Sequence, residues 1–206
     1  MPYGIYDGGA VIAQFVAPMT VRSNHPIYAS DTLSLSRRTT QRTVQRWEIE
    51  TRLEPLSSSA QKLFVHLINK GYSTSFTIST PQNYGAILAR THNGSPTVYS
   101  TTGAAGTSSV QLTAGAITGT MPAGTFIKFA NHNKVYLTTT DWVAAAGNPV
   151  VSIYPPLKVT APSTTVVTCR DDVLMTCFYD LDVLIGMSYI DGILMDVGTI
   201  KLVEAI

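Results

Sequence analysis

The chain has 206 residues, enough for one large or two small domains with cores of their own. Only 13% of them are charged, with a net charge of +1, about half the roughly 25% of an ordinary soluble protein. Residues 89–158 hold only four Lys/Arg, well short of the basic stripe of a nucleic-acid groove. The 27 threonines supply polarity without charge and favour strands over helices. A surface so poor in charge is kept soluble most simply by burial against other subunits. Cys169 and Cys177 lie eight apart, with no Cys-x-x-Cys pair or nearby histidine, so neither a disulfide framework nor a zinc site is indicated. MPYGIYDGGA lacks the basic start and apolar core of a signal peptide, and no apolar run reaches membrane-span length. Synthesis in a cytoplasm, with no export signal and no membrane anchor, is expected.

Charge is uneven along the chain. Residues 1–88 carry eight Lys/Arg against five Asp/Glu, residues 89–158 four against one, and the last 48 residues two against seven. Such asymmetry suits complementary faces in an assembly or an acidic lining, and equally a plain solvated surface.

In chain order, TLSLSRRTTQR (32–42) alternates Leu33 and Leu35 with serines before a basic turn at Arg37 and Arg38. VQRWEIETRL (44–53) places Trp47, Ile49 and Leu53 on one face and Arg46, Glu48, Glu50 and Arg52 on the other, a half-buried antiparallel strand. A hairpin of these two strands is the simplest connection. Ser58 with Gln61 forms a capping box, and Ala60, Leu63, Phe64 and Leu67 an apolar stripe; with Lys70 and Gly71 at the end they predict a helix over 58–70. YSTSFTIST (72–80) reads as a strand closed by Pro81.

From residue 91 the composition turns small, polar and glycine-rich, which marks a domain boundary. FIKFANH, KVYLTTT and NPVVSIY follow as closely spaced strands in which Ile127, Phe129, Val135, Leu137, Val151 and Ile153 can face inward. A small curved barrel of about five strands, of the oligonucleotide/oligosaccharide-binding (OB) type, uses that many elements. The run ends on Tyr154-Pro155-Pro156-Leu157, which is either a recognition surface or a rigid joint between domains; Pro155 offers no ladder amide. TTVVTCR, LMTCFYDLDVLI, YIDGILMD and IKLVEAI give three or four more strands, with a turn at Asp191-Gly192 and an anchored last strand. The fold class expected is all-β with one helix: a discontinuous β-sandwich or barrel domain (1–88 and 159–206) with a small OB-like barrel (89–158) inserted.

AGTFIKFANHNKVYLTTTD (123–141) and VSIYPPL (151–157) resemble the inserted barrel of distal tail proteins from long-tailed bacteriophages. RTVQRWEIETRLEPLSSSAQKLFVHLINKG (42–71) and DGILMDVGTIKLVEAI are similar to the ring-forming domain of the same family, and the likeness covers about two thirds of the chain. The resemblance implies a hexameric ring at the distal end of the tail tube, in the virion tail tip or baseplate, with the inserted domain outside. Such a ring joins tube to baseplate hub, offers side fibres an attachment point, and lets DNA pass without reading it.

No catalytic constellation is apparent. His25, His66, His92 and His132 are scattered, with no nucleophile elbow or phosphate loop. Neither Asp171-Asp172 nor Asp180-x-Asp182 has a third ligand nearby. No enzyme activity, cofactor or metal is therefore expected. Arg46, Glu48, Glu50 and Arg52 are candidates for a subunit interface, because a strand bearing both signs can pair with a neighbour's. Asp180 and Asp182 are candidates for an acidic channel lining that repels DNA phosphates. Tyr154, Pro155, Pro156 and Leu157 are the candidate interdomain joint, with Leu157 its anchor. The rival uses are another tail ring component (a tube or tube-terminating subunit), or a barrel binding nucleic acid through Lys128, Lys134, Tyr136 and Tyr154 or sugar on Trp142.

Overall fold

The computed structural model describes residues 4–31, 37–41, 44–53, 57–82, 98–113, 119–144, 148–170, 172–182, 186, 188–190, 193–196 and 198–206. The chain begins with β1 (Gly4–Asp7), β2 (Ala10–Asn24), β3 (Ile27–Asp31), β4 (Arg37–Gln41), β5 (Arg46–Leu53), α1 (Ser57–Lys70) and β6 (Phe76–Ser79). Next come β7 (Val98–Thr102), β8 (Ser109–Thr113), β9 (Gly119–Met121), β10 (Phe126–Phe129), β11 (Val135–Thr138), β12 (Trp142–Ala144), β13 (Val150–Tyr154) and β14 (Thr165–Thr168). It ends with β15 (Leu174–Tyr179), β16 (Ser188–Ile190), β17 (Ile193–Asp196) and β18 (Thr199–Glu204). The protein is all-β with one helix among the described residues.

Two closed barrels account for most strands. The first runs β1-β2-β5-β18-β15-β6, and the second β10-β11-β13-β8-β7-β14. Closure removes the open edges along which sheets aggregate. The first barrel begins with a two-residue hairpin at Gly8 and Gly9, both at positive φ, which only glycine adopts without strain. Pro18 sits where β2 bulges against β5, between the pairs Val16↔Arg52 and Thr20↔Glu50, a place where a missing amide costs no ladder bond. Helix α1 buries Leu63 and Leu67 in this barrel's core and ends where Gly71, at positive φ, donates its amide to the Leu67 carbonyl at 2.7 Å. Ser58 and Ala60 of the expected cap and stripe have side chains outside the described set, as do the Asp191-Gly192 turn and Leu33, Leu35, His92 and Asp171.

The fold departs from the sequence reading in four ways. β4 pairs with the upstream β3 (Ser30↔Arg38) rather than with β5, whose two edges are taken by β2 and β18. Arg37 and Arg38 therefore lie in a strand, not a turn. The second barrel has six strands, all antiparallel, where about five were expected. Its last strand is β14, which pairs with β7 and β10, so the chain stays in this barrel past residue 158 and leaves it only after Thr168. Val167 and Cys169 fill its core.

The fourth departure concerns which face is inside. Ile127, Phe129, Val151 and Ile153 point into the second barrel, but on β11 the inward residue is Tyr136, while Val135 and Leu137 pack against the first barrel's core together with Phe126 and Tyr154. Both faces of β10 and β11 carry apolar residues, so their alternation alone does not say which face closes the barrel. The outer face of these strands is a second buried face.

Candidate functional site at the seam between the barrels

The wall shared by the barrels holds a buried polar network. Trp47, buried on β5, donates its indole N–H to the Val135 carbonyl at 2.8 Å and meets Phe126 and Tyr154 edge-on at 5.5 and 6.0 Å. Beside it Lys134 and Glu204, both nearly inaccessible, form an ion pair between the second barrel and the last strand of the first. Lys134 also donates to Gln45 Oε1 at 2.6 Å and to the Gln45 carbonyl at 3.1 Å, which completes three donations from its ammonium. Glu204 accepts the Val135 amide at 2.9 Å and the Trp47 amide at 3.1 Å. Burial pulls the Lys134 ammonium below its usual value, and the Glu204 carboxylate opposes that pull. A charge pair buried this deeply is tolerated because its lone pairs and protons find partners.

Two further ties cross the seam. Gln82, where the chain leaves the first barrel, donates to the Phe126 carbonyl at 2.8 Å and accepts the Phe126 amide at 3.0 Å, an amide standing in for one rung of a β-ladder. It also donates to the Arg170 carbonyl at 3.0 Å, where the chain returns, so one side chain clasps both connections. Lys128 reaches the Leu174 carbonyl at 3.0 Å. Burial lowers the Lys128 pKa as well.

Tyr154 through Leu157 lie along this seam, but they do not carry the chain between domains. The Tyr154 hydroxyl meets Ser23 Oγ at 3.0 Å and His25 Nδ1 at 2.5 Å on the first barrel. The Tyr154-Pro155 peptide is cis. Leu157 is buried in the second barrel, with its amide bonded to the Thr107 carbonyl at 2.8 Å and its carbonyl accepting the Gly106 amide at 2.7 Å. Leu157 thus anchors the barrel it belongs to, since β14 still lies ahead. The interdomain passage is at Gln82 and Arg170 instead.

Arg46, Glu48, Glu50 and Arg52 do share the outer face of β5. Glu50 pairs with Arg22 at 3.1 Å, and Glu48 accepts from Asn24 at 2.5 Å and faces Lys201 at 3.7 Å. These rungs cross from β2 to β5 to β18 within one subunit. Both edges of β5 are occupied by β2 and β18, so a neighbour could meet it only through this charged side-chain face. Asp180 is not a free carboxylate: it pairs with Lys201 at 2.7 Å and accepts the Asp182 amide at 3.1 Å, and the Lys201 bond lowers its pKa. Asp182 is exposed.

The rival binding residues are mostly inside. Trp142 starts β12 with its indole bonded to the Pro149 carbonyl at 3.1 Å, and at 1% exposure it is a core residue rather than a stacking platform. Tyr136 is buried, bonded to His132 Nε2 at 2.7 Å and to the Lys158 amide at 2.9 Å, and its hydroxyl is pushed up to about 12 by burial. Lys128 and Lys134 are committed to the seam. His66 pins α1 to the barrel through Tyr179 at 2.9 Å, with Nε2 3.5 Å from Asp7; burial is the main cause lowering its pKa. Cys169 and Cys177 are free and buried, one in each core, and desolvation raises both thiols. Among the described residues no three His, Cys, Asp or Glu side chains form a metal-binding group.

Sequence reasoning weighed Lys134 as a phosphate contact and left Glu204, Gln45 and Gln82 unremarked. The signal available was an isolated lysine opening an apolar strand and an isolated glutamate closing one, each a charge on a strand that is otherwise packed. No family model matches the chain, and no curated protein matches it.

Proposed function

We propose that this protein is a non-enzymatic structural subunit of a phage virion. It forms a ring, hexameric by resemblance, at the distal end of the tail tube, joins the tube to the baseplate hub, and offers side fibres a platform. The observation that best supports this reading is the β3–β4 arm. The β2–β5 ribbon, paired as far as Asn24↔Arg46, continues beyond the barrel as Ile27↔Gln41 through Asp31↔Arg37, a two-stranded sheet that joins no other strand among the described residues. Every residue of β3 is exposed, Ile27 at 58%. An isolated two-stranded sheet is marginal in water, so a projecting one argues for a surface on another subunit that completes it. The fused barrels supply the rigid body that a load-carrying ring requires.

The reading is tested by the mass of the purified protein from multi-angle light scattering, with negative-stain images. Rings are expected, and a monomer at tens of micromolar overturns the ring. Replacing residues 27–41 by an Asn-Gly turn is expected to yield a folded monomer. A tube or tube-terminating subunit is the alternative, and long stacked tubes in the images in place of single rings decide for it. Nucleic acid and sugar binding by the second barrel are disfavoured by the burial of Tyr136 and Trp142 and the engagement of Lys128 and Lys134.

A further inference from the structure

The two faces of the β3–β4 arm differ in charge. Antiparallel partners share a face, so Ile27, Ala29, Asp31 and Arg37 lie on one side of the sheet and Tyr28, Ser30, Arg38 and Thr40 on the other. On the first side Asp31 stands opposite Arg37 and balances it. On the second, Arg38 stands opposite Ser30, and residues 32–36 supply no carboxylate. Arg38 is exposed and has no ion-pair partner among the described residues. Tyr28, diagonal to it across the pair, is 59% exposed. One face of the arm therefore offers water an aromatic ring and an unbalanced cation.

The complementary pair lies at the turn after β15. Leu181, at 74%, is the most exposed large apolar side chain among the described residues, and Asp182 beside it is also exposed. Lys201 is the one cation in residues 171–206, against seven carboxylates. It is held by Asp180 at 2.7 Å and faces Glu48 at 3.7 Å, while Asp182 forms no salt bridge among the described residues. The Asp180 amide is bonded to the Lys201 carbonyl, and Lys201 stands opposite Glu50 of β5. The arm leaves beyond Arg46, roughly 13 Å back along that strand, and runs away from the barrel. Arm and turn thus do not meet within one chain.

We propose that the arm docks on this turn in a second copy of the chain, with Tyr28 of one copy packed on Leu181 of the next and Arg38 paired with Asp182. The proposal rests on the reading above that another subunit completes the arm, and it names the surface that does so. Apolar group meets apolar group and charge meets opposite charge, which fixes the register of the contact. Two arms packed through their Tyr28 faces would instead bring Arg38 of each into one interface. Because the two surfaces are different patches, the contact is head to tail, the kind that closes as a ring.

Light scattering of the full chain across a concentration series tests it. Arg38→Asp and Asp182→Arg are each expected to raise the concentration of half-assembly roughly tenfold or more, since like charges then face each other. Both side chains are exposed, so the thermal unfolding midpoint should stay in place. Arg38→Asp combined with Asp182→Arg in one chain restores the pair with its signs exchanged and is expected to recover assembly, as is an equimolar mixture of the two single variants. Assembly unchanged in either single variant overturns this docking and leaves the ring standing. A loss that the combined exchange fails to recover overturns it too. A wild-type chain that stays monomeric overturns both the docking and the ring.

Discussion

The seam and the arm handle polar groups in opposite ways. At the seam, Lys134 and Glu204 are shut away from water and every strong group of the pair finds a partner in the other barrel. On the arm, β3 and β4 present exposed side chains on a sheet that no other described strand joins. One region is finished within a single chain, and the other, on the ring proposed above, is finished by a neighbour. The difference teaches where stability and assembly reside: changes at the seam should move the unfolding transition, and changes on the arm should move the mass.

The largest effect should come from breaking the pair. Glu204→Ala leaves a lysine buried without its counter-charge and is expected to cost about 3–5 kcal/mol in urea unfolding. Both barrels should lose stability in one transition, because they share this wall. Lys134→Met combined with Glu204→Leu should cost much less than the single change, since no charge is then stranded. If the single and the double were equally destabilised, packing rather than charge would govern the seam.

Next comes Gln82→Ala, which unpairs both the amide and the carbonyl of Phe126 and is expected to cost about 1–3 kcal/mol. Pro155→Ala with Pro156→Ala is expected to leave interdomain mobility by NMR relaxation unchanged, because Gln82, Trp47 and Lys134 hold the barrels whatever the prolines do. A gain in mobility would restore the prolines as the joint.

Acid should act more gently, and on the second barrel. His132 is held at about 4 chiefly by burial, helped by Lys158 and Lys128. In the unfolded chain it takes up its proton near the ordinary 6.5. The unfolded state therefore binds more protons between those values, so this contribution is complete above about 6.5 and is lost as pH falls towards about 4. Thermal melts over that interval should fall more steeply for the wild type than for His132→Asn, whose side chain does not titrate. Parallel curves would remove His132 from the acid response.

The smallest effect on folding should come from the arm and the outer charges. Arg22→Ala breaks the exposed pair with Glu50 and is expected to change stability by about 0–1 kcal/mol. Removal of residues 27–41 should leave the unfolding midpoint in place while abolishing the oligomer. A large drop in the midpoint would show the arm to be part of the barrel and erase the contrast with the seam.

Much of the architecture was legible from local pattern. Helix α1 was marked by its stripe and Gly71, and β5 by the alternation of Trp47 and Ile49 with charges, because each periodicity belongs to one element seen by itself. Ile200 and Leu202 announced an anchored last strand for the same reason. The seam was not legible, because its residues are far apart in the chain: Gln45 meets Lys134, and Lys134 meets Glu204, only after two barrels have closed. Asp180 looked like a free carboxylate until the register of β18 put Lys201 beside it.

Composition and period two by themselves determined a chain built mainly of strands, because burying one face of a strand requires that alternation wherever the strand ends up. Tertiary structure alone decided which of two apolar faces closed a barrel. Val135 and Tyr136 are adjacent and both fully buried, yet they serve different cores, since a strand in a wall shared by two barrels has no solvent face to break the tie.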